Sequence, residues 1–324
     1  MKRQFENIRT GVIGVGSMGK NHARIYNEIS NLVAVSDNDE RNGLKIANKY
    51  GVKWFKDYEK MFQYVDAVSI ATPTIYHRAV ADSAINNGVH ILVEKPLSDN
   101  IVDAEFIVRK AEKNNVNVSV GHIERFNPVT TFCKKALSSG EWGDLIFMSS
   151  KRFSPRPTRI KDVGVIFDIG IHDLDLMRFL SGDEVTNLHS AGGFIGDDMH
   201  HSFSTILLQF SSGLKASCEV SWLKPNRLRE LSVTCSKYYA VLDFAEQTIN
   251  LYDMKLISNG SISADSPAFS ARNKVDISKK EPLLLEIQDF LSSISKNSQP
   301  LVGGIDGLES VKLAKLVVDS LNNV

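Results

Sequence analysis

The sequence predicts an α/β protein in two units: a doubly wound, parallel sheet first, then an α+β unit with a large, mainly antiparallel open sheet. Two patterns predict this. From Ile8 to about His122, short β-branched runs alternate with amphipathic stretches of helical length, the rhythm of right-handed βαβ crossovers. After Asn127 long strand-like runs follow one another with only turn residues between them. Length agrees, because 324 residues exceed what one core usually holds. The divisions expected are 1–122, 123–300, and a C-terminal helix at 301–324 that packs back on the first unit.

The individual elements follow from local pattern. In the first unit the strands are Gly11–Gly14, Leu32–Ser36, Ala67–Ala71, His90–Glu94 and Asn117–Val120, with a minor one near Val52–Phe55. Between them Lys20–Ile29, Glu40–Tyr50, Ile75–Asn87 and Ile101–Asn114 read as helices. In the second unit a helix near Val129–Ser138 leads to a strand at Leu145–Arg152, an Arg/Pro-rich loop and a helix starting near Asp168. Phe203–Phe210 and Leu214–Trp222 meet at Ser211-Ser212-Gly213, a hairpin-like turn, and Leu231–Cys235 pairs with Tyr239–Phe244 around Ser236-Lys237. Near the end Leu284, Ile287, Leu291 and Ile294 share one helical face, and Ile305, Leu308, Val311, Ala314 and Val318 share another. The Ser-rich stretch at 259–270 reads as a surface loop.

Composition removes several classes of function. With 38 Lys+Arg against 38 Asp+Glu, no overall field attracts nucleic acid or an anionic membrane, so an anionic ligand must be held by a local cluster. Met1–Thr10 has no unbroken apolar core of a leader peptide, and no run approaches the roughly 18 apolar residues of a membrane span, so the chain reads as cytoplasmic. The cysteines Cys133, Cys218 and Cys235 are far apart and lack CxxC spacing, which signals neither a disulfide framework nor a zinc knuckle. Asp197, Asp198, His200 and His201 resemble a metal cluster only superficially and read as a loop; no metal is expected.

The first strand runs into Gly14-Val15-Gly16-Ser17-Met18-Gly19 and then a helix. Here the first glycine permits a tight turn, the second lets backbone amides approach a pyrophosphate, and the third lets helix and strand pack closely. The helix N-terminus adds partial positive charge. Asp37 falls at the end of the second strand, about 20 residues on, where it would accept hydrogen bonds from adenosine ribose hydroxyls. With Asn38, Asp39 and Glu40 beside it a 2′-phosphate would be repelled, so NAD is favoured over NADP, although Arg41 pulls the other way. This is the Rossmann dinucleotide pattern. S-adenosylmethionine enzymes share the acid, but a third glycine opening a helix fits a dinucleotide better.

Further along come Thr72-Pro73 with His77, Glu94-Lys95-Pro96, Gly121-His122, and Asp168-Ile169-Gly170-Ile171-His172. The first three lie at carboxyl ends of parallel strands, the rim where open α/β sheets bind ligands. Asp168 and His172, four apart, would share a helix face. Taken singly each has an ordinary explanation: a surface lysine, an N-cap aspartate, a satisfied core histidine.

Taken in this order, glycine turn, TP, EKP and DxGxH, the motifs resemble the Gfo/Idh/MocA oxidoreductases along nearly the whole chain. The resemblance implies hydride transfer between a sugar or polyol carbinol and nicotinamide, across a cleft between two domains. It implies Lys95, Asp168 and His172 as the catalytic set. It implies a cofactor site of Gly14, Gly16, Ser17, Met18, Gly19, Asp37, Thr72, Pro73, His77, Glu94 and Lys95. A histidine with a pKa near ~6.5 suits removal of the hydroxyl proton, a carboxylate can fix its tautomer, and a lysine can steady the developing alkoxide. His172 is assigned as base and Lys95 as electrostatic partner; the two roles remain exchangeable.

Arg152, Arg156 and Arg159, with Pro155 and Pro157 between them, suggest a stiff fork for a phosphate or diphosphate, a solvated loop being the alternative. The string from Asp168 to Arg178 is similar to the family branch that oxidises the 3-hydroxyl of UDP-N-acetylglucosamine or its uronic acid, upstream of amino-sugar biosynthesis. The expected substrate contacts are then His122, Arg152, Arg156, Arg159 and His172, with Trp222, Lys224, Arg227 and Arg229 lining the other side unless Trp222 is core. The competing expectations are a free-sugar or myo-inositol dehydrogenase of the same family and a non-catalytic NAD-sensing protein. An open second sheet would leave one face bare, which suggests a homodimer or homotetramer.

Overall fold

The structure, a computed structural model, describes residues 3–157, 163–196, 199–254 and 273–322. The chain forms two compact units, one of Met1–Ile123 with Leu283–Lys312, the other of Glu124–Pro282 with Leu313–Val324. Arg159, Asp197, Asp198 and the Ser-rich stretch at 259–270 lie outside the described residues. No helix among the described residues is long and apolar enough to cross a membrane, and no cluster of His, Cys, Asp and Glu among them could hold a metal ion. Cys133, Cys218 and Cys235 are buried and free.

The first unit is built on β1 (Phe5–Ile13), β2 (Ser30–Ser36), β3 (Lys53–Phe55), β4 (Ala67–Ile70), β5 (His90–Val93) and β6 (Val118–Val120), paired in parallel in the order β3-β2-β1-β4-β5-β6. β4 and β6 are buried at every position, as continuous apolar strands covered on both faces should be. Helices α1 (Gly19–Ile29), α2 (Glu40–Tyr50), α3 (His77–Asn86) and α4 (Ile101–Lys113) make the crossovers. The strand order reverses between β1 and β4, so their following loops part and open a crevice at the carboxyl ends.

The expected divisions need correction at two places. The last helix, expected on the first unit, goes with it only to Lys312, and Leu313–Val324 belong to the second. The helix over Pro282–Lys296, here α7, was expected within the second unit, yet it packs with the first: Leu283, Ile287, Phe290 and Leu291 join Ala23, Ile25 and Tyr26 of α1 in one buried cluster. Sequence distance hid this, because an apolar helical face shows that it is covered and not by what. The linker to α8 (Gly304–Asn322) then covers the edge of β6. Val120 N–H donates to Val302 O, and Asn117 Nδ2 donates to Ser293 Oγ and Ser298 O. Gly307 lies so near β6 that a Cβ there would come within 2.6 Å of Val120 Cγ2. Ile305, expected on the buried face, is exposed, and Leu308, Val311, Ala314 and Val317 form the covered stripe.

The second unit contains β7 (Leu145–Pro155), β8 (Val185–Gly193), β9 (Phe203–Phe210), β10 (Lys215–Ser221), β11 (Leu223–Cys235), β12 (Tyr238–Asp243), β13 (Thr248–Asp253) and β14 (Asn273–Val275), in the order β14-β13-β12-β11-β7-β10-β9-β8. All pairings are antiparallel except β10 with β7. The expected hairpins form between β9 and β10 and between β11 and β12, and Gly213 takes the positive φ, 89°, that the first turn needs. β9 alternates exposed and buried at every step, the mark of a sheet covered on one face. That cover comes from α5 (Pro128–Ser138) and α6 (Ile171–Ser181).

One core group is out of keeping with its surroundings. Glu286 of α7 is 0% exposed, and neither carboxyl oxygen has a hydrogen-bond partner. Burial, reinforced by Glu94 and Asp289, pushes its pKa well above the carboxylate range. The folded state therefore holds a proton that the unfolded chain releases, so stability is fully present below the unfolded pKa and falls as pH rises toward the folded one. Replacing Glu286 with Gln should flatten that fall. Chemical denaturation at pH 5 and pH 8 checks it: the variant gains on the wild type at the higher pH, by up to about 1.4 kcal/mol per pH unit spanned by the raised pKa.

Candidate active site

The glycine turn closes β1 as the dinucleotide pattern requires. Gly14 has φ 83°, and a Cβ there would meet Ala71 O at 2.8 Å, while one on Gly19 would strike Gly14 O at 1.7 Å. Gly16 differs: a Cβ would meet nothing within 4 Å, so its hydrogen side faces open space rather than protein. Helix α1 has no side-chain cap and no acid in its first turn, whereas Asp39, Asn100 and Asn127 cap α2, α4 and α5. An uncapped helix start above an open glycine edge is suited to a phosphate.

Asp37 stands at the end of β2 with Oδ2 accepting from Val15 N–H at 2.9 Å and Oδ1 from Asp39 N–H at 2.9 Å. Its carboxylate thus steadies the glycine turn as well as facing a cavity of about 470 Å³ lined by Gly14, Gly16, Asp37, Thr72 and Pro73. The Thr72 hydroxyl is buried without a hydrogen-bond partner. Lys56, Asp57, Tyr58 and Tyr76 also line this cavity and were not anticipated. Lys56 to Tyr58 follow β3 directly, so the rule that ligands gather at carboxyl ends of strands would have found them. These features fit a dinucleotide, whose adenosine end Asp37 and this cavity would hold.

His77 was expected to touch the cofactor, and the structure assigns it otherwise. It is 1% exposed, with Nδ1 2.9 Å from Pro96 O and Nε2 3.0 Å from Thr72 O; burial lowers its pKa, so the neutral ring donates to one of these two carbonyls at a time and both nitrogens face protein backbone. A short polar spacing cannot tell a residue that lines a site from one that ties its wall together. Glu94 turns toward α1, its Oε1 accepting from His22 Nε2 at 2.9 Å. Lys95 follows it, partly exposed, with a cis bond to Pro96. His122 is buried at the end of β6.

In the second unit Asp168 lies on a π-helical turn, Ile166–Gly170, which ends with Ile171 N–H donating to Ile166 O and runs straight into α6. The pair Asp168 and His172 therefore spans a junction of two helix types rather than one regular helix; such wide turns are frequent at functional sites. Asp168 is buried and His172 partly exposed. The turn packs against β10 at Gly170, where a Cβ would sit 3.5 Å from Val220 Cγ1, an ordinary contact that does not require glycine.

Arg152 is the clearest correction. Its guanidinium lies buried, with Nε and Nη2 donating to Asp173 Oδ2 and Oδ1 at 2.9 Å each and Nη1 to Glu124 Oε1 at 2.9 Å. The geometry leaves it a structural tie between β7 and α6 instead of a prong of an anion fork. Burial disfavours the charged form, yet Asp173 and Glu124 together hold its pKa above the usual value. Arg229, opposite Arg152 on β11, stands 3.8 Å from Glu124 and balances the second carboxylate. Arg125 and Asp175 form a second buried bidentate pair at 2.7 and 2.6 Å.

Cations do gather nearby. Between the pairs Leu223–Pro155 and Leu228–Phe153 β11 has four residues where β7 has one, so Lys224 and Arg227 stand on a bulge. Lys224 lies over the Phe153 ring at 5.5 Å and Arg156 over Trp222 at 5.7 Å. Trp222 is buried, as its core alternative required, but its indole N–H and the Ser154 hydroxyl lack hydrogen-bond partners. No carboxylate among the described residues pairs with Lys224 or Arg227.

Comparison with known proteins follows the same division. Residues 8–122 match the family described as "Oxidoreductase family, NAD-binding Rossmann fold", and residues 131–241 match "GFO/IDH/MocA C-terminal domain". The UDP-N-acetylglucosamine 3-dehydrogenase of Acidithiobacillus ferrooxidans is 30% identical over 301 residues, 93% of each chain. Its crystal structure superposes with a TM-score of 0.87 at 28% identity, covering 100% of this chain and 99% of that one. The scyllo-inositol 2-dehydrogenase (NAD(+)) of Bacillus subtilis is 27% identical, over 98% of this chain and 94% of the relative.

The open edge of Gly16 gives a direct test of the cofactor site. Gly16→Ala should keep the melting temperature within about 2 °C, since the added methyl meets no protein atom, yet weaken NAD binding by roughly tenfold or more. Calorimetric titration with NAD beside a thermal melt checks both halves; unchanged affinity would mean the cofactor does not approach this edge.

Proposed function

Because this chain belongs to the Gfo/Idh/MocA oxidoreductase family, whose NAD-binding Rossmann fold makes up its first unit, we propose that it oxidises the 3-hydroxyl of UDP-N-acetylglucosamine or its uronic acid to the 3-keto sugar. The observation that carries the reading is the similarity over 93% of both chains to an enzyme of that name. The cation-bearing bulge of β11 supports it from within the second unit. Lys224, Arg227 and Arg156, with the unpartnered Trp222 N–H and Ser154 hydroxyl, offer charge and donors for a diphosphate; β7, on which the bulge pairs, also pairs with β10, the strand the Asp168 turn packs against.

In this reading His172 removes the hydroxyl proton, Asp168 orients its imidazole, and Lys95 steadies the developing alkoxide. Bound NAD supplies the hydride acceptor. Asp37, facing the adenosine cavity with a carboxylate, favours NAD over NADP. The bare face of the second sheet, where Phe203 and Leu207 of β9 are exposed, supports association into a homodimer or homotetramer; a monomeric mass by sedimentation would refute that part.

A second reading, oxidation of scyllo- or myo-inositol, is favoured by similarity to several inositol dehydrogenases, among them the scyllo-inositol enzyme described above. Purified protein, NAD and a panel of UDP-N-acetylglucosamine, its uronic acid, glucose, scyllo-inositol and myo-inositol separate the two when reduced nicotinamide is followed by absorbance. The expected outcome is turnover with the UDP-sugars, and a rise in their KM of roughly tenfold or more on reversing charge at Lys224 and Arg227. Turnover confined to free polyols would overturn the nucleotide-sugar reading.

A further inference from the structure

The residues on either side of Lys95 are each held by a buried histidine. On the amino side, Glu94 Oε1 accepts from His22 Nε2 at 2.9 Å. His22 Nδ1 is 2.9 Å from Ser69 Oγ, which is 2.8 Å from the Tyr26 hydroxyl. His22, Ser69 and Tyr26 are all 0% exposed. If His22 is to donate from Nε2 while neutral, Nδ1 must accept, so Ser69 donates to it and Tyr26 to Ser69. Every proton in that line points toward one carboxylate. On the carboxyl side, the Pro96 carbonyl faces His77 Nδ1, whose other nitrogen faces Thr72 O on the neighbouring loop.

We propose that His22 and His77 are a pair of positioning residues: they clamp residues 94 and 96 so that Lys95 projects from a fixed turn, with the Glu94 carboxylate held beside its ammonium. This rests on the role given to Lys95 above. Burial acts to raise the Glu94 pKa, but the His22 hydrogen bond, with Lys95 and His77 nearby, brings it below the usual carboxyl value, so the carboxylate stays ionised. The groups facing it are His22 from α1, His77 from α3, Lys95 itself and, across the core, Glu286 from α7. An anion fixed at that place attracts the Lys95 ammonium and helps to hold it beside the turn.

The clamp can be read without any substrate. Reductive 13C-methylation of the full chain, with the Lys95 signal assigned from Lys95→Arg, reports the surroundings of that side chain by NMR at a fixed pH. His22→Leu and His77→Leu should each move or broaden the Lys95 signal, and should each lower kcat on the order of tenfold or more with NAD affinity changed less than about twofold, since misplacement of a reacting group acts on the chemical step. His22→Gln, whose amide nitrogen can reach the Nε2 position, should recover much of the loss. An unchanged Lys95 signal, or equal kcat in the wild type and both leucine variants, would overturn the proposal. Should one leucine variant fail to fold, the other, together with His22→Gln, still decides. Failure on the substrate panel with the Lys95 signal moving as expected would sink the substrate reading and leave the clamp standing.

Discussion

The reversal of strand order between β1 and β4 is the constraint on which the first unit depends. Where successive crossovers leave a parallel sheet in opposite directions, the loops after adjacent strands cannot cover one another, and the carboxyl ends of β1, β2, β4 and β5 lie open together. The Gly14 turn, Asp37, Thr72-Pro73 and Glu94-Lys95 sit at those four ends. Their chemistry follows from their place. Backbone amides at the uncapped start of α1 are placed to meet a phosphate, the Asp37 carboxylate to meet a ribose, and a lysine stands next in line along the rim.

The second unit answers a different problem, that of fixing a short charged helix in an apolar sheet. α6 is buried on nearly all sides and carries Asp173, Asp175 and Arg178. Each is matched: Asp173 by Arg152 of β7, Asp175 by Arg125, Arg178 by Glu184 at 2.7 and 2.6 Å. Breaking either of the first two pairs, which are buried on both sides, costs about 3–5 kcal/mol, because one charge is left without a partner. The pairs therefore set where α6 can sit, and with it the π turn bearing Asp168 and the start of the helix bearing His172. The same eleven-residue helix opens with His172, the proposed base, while its other charged residues Asp173, Asp175 and Arg178 are tied into the fold.

That overlap marks how far the site could be read from residue types alone. The glycine turn was legible because each glycine answers a local steric demand, and the model-free pattern of period and spacing is enough to place it between a strand and a helix. Arg152 was misread for the converse reason: an arginine in a Pro-rich stretch has the same local signature whether it faces solvent or two buried carboxylates from residues 28 and 21 positions away. His77 was misread likewise, and His22 passed unnoticed as one polar residue in an amphipathic helix, although both lie against the EKP turn.

What the sequence by itself determined is whatever depends on short-range order: the two-unit α/β plan, the parallel sheet with its dinucleotide turn, the one-faced alternation of β9 and the two hairpins of the second sheet. These follow from periodicity, turn chemistry and sterics within about twenty residues. The tertiary structure alone decided which unit receives α7, that Ile305 faces outward, that β10 runs parallel to β7, and which charged groups are partners rather than ligands. Such outcomes depend on contacts between segments far apart in the chain, where burial and charge pairing are settled by what the fold brings together and leave no mark in local spacing.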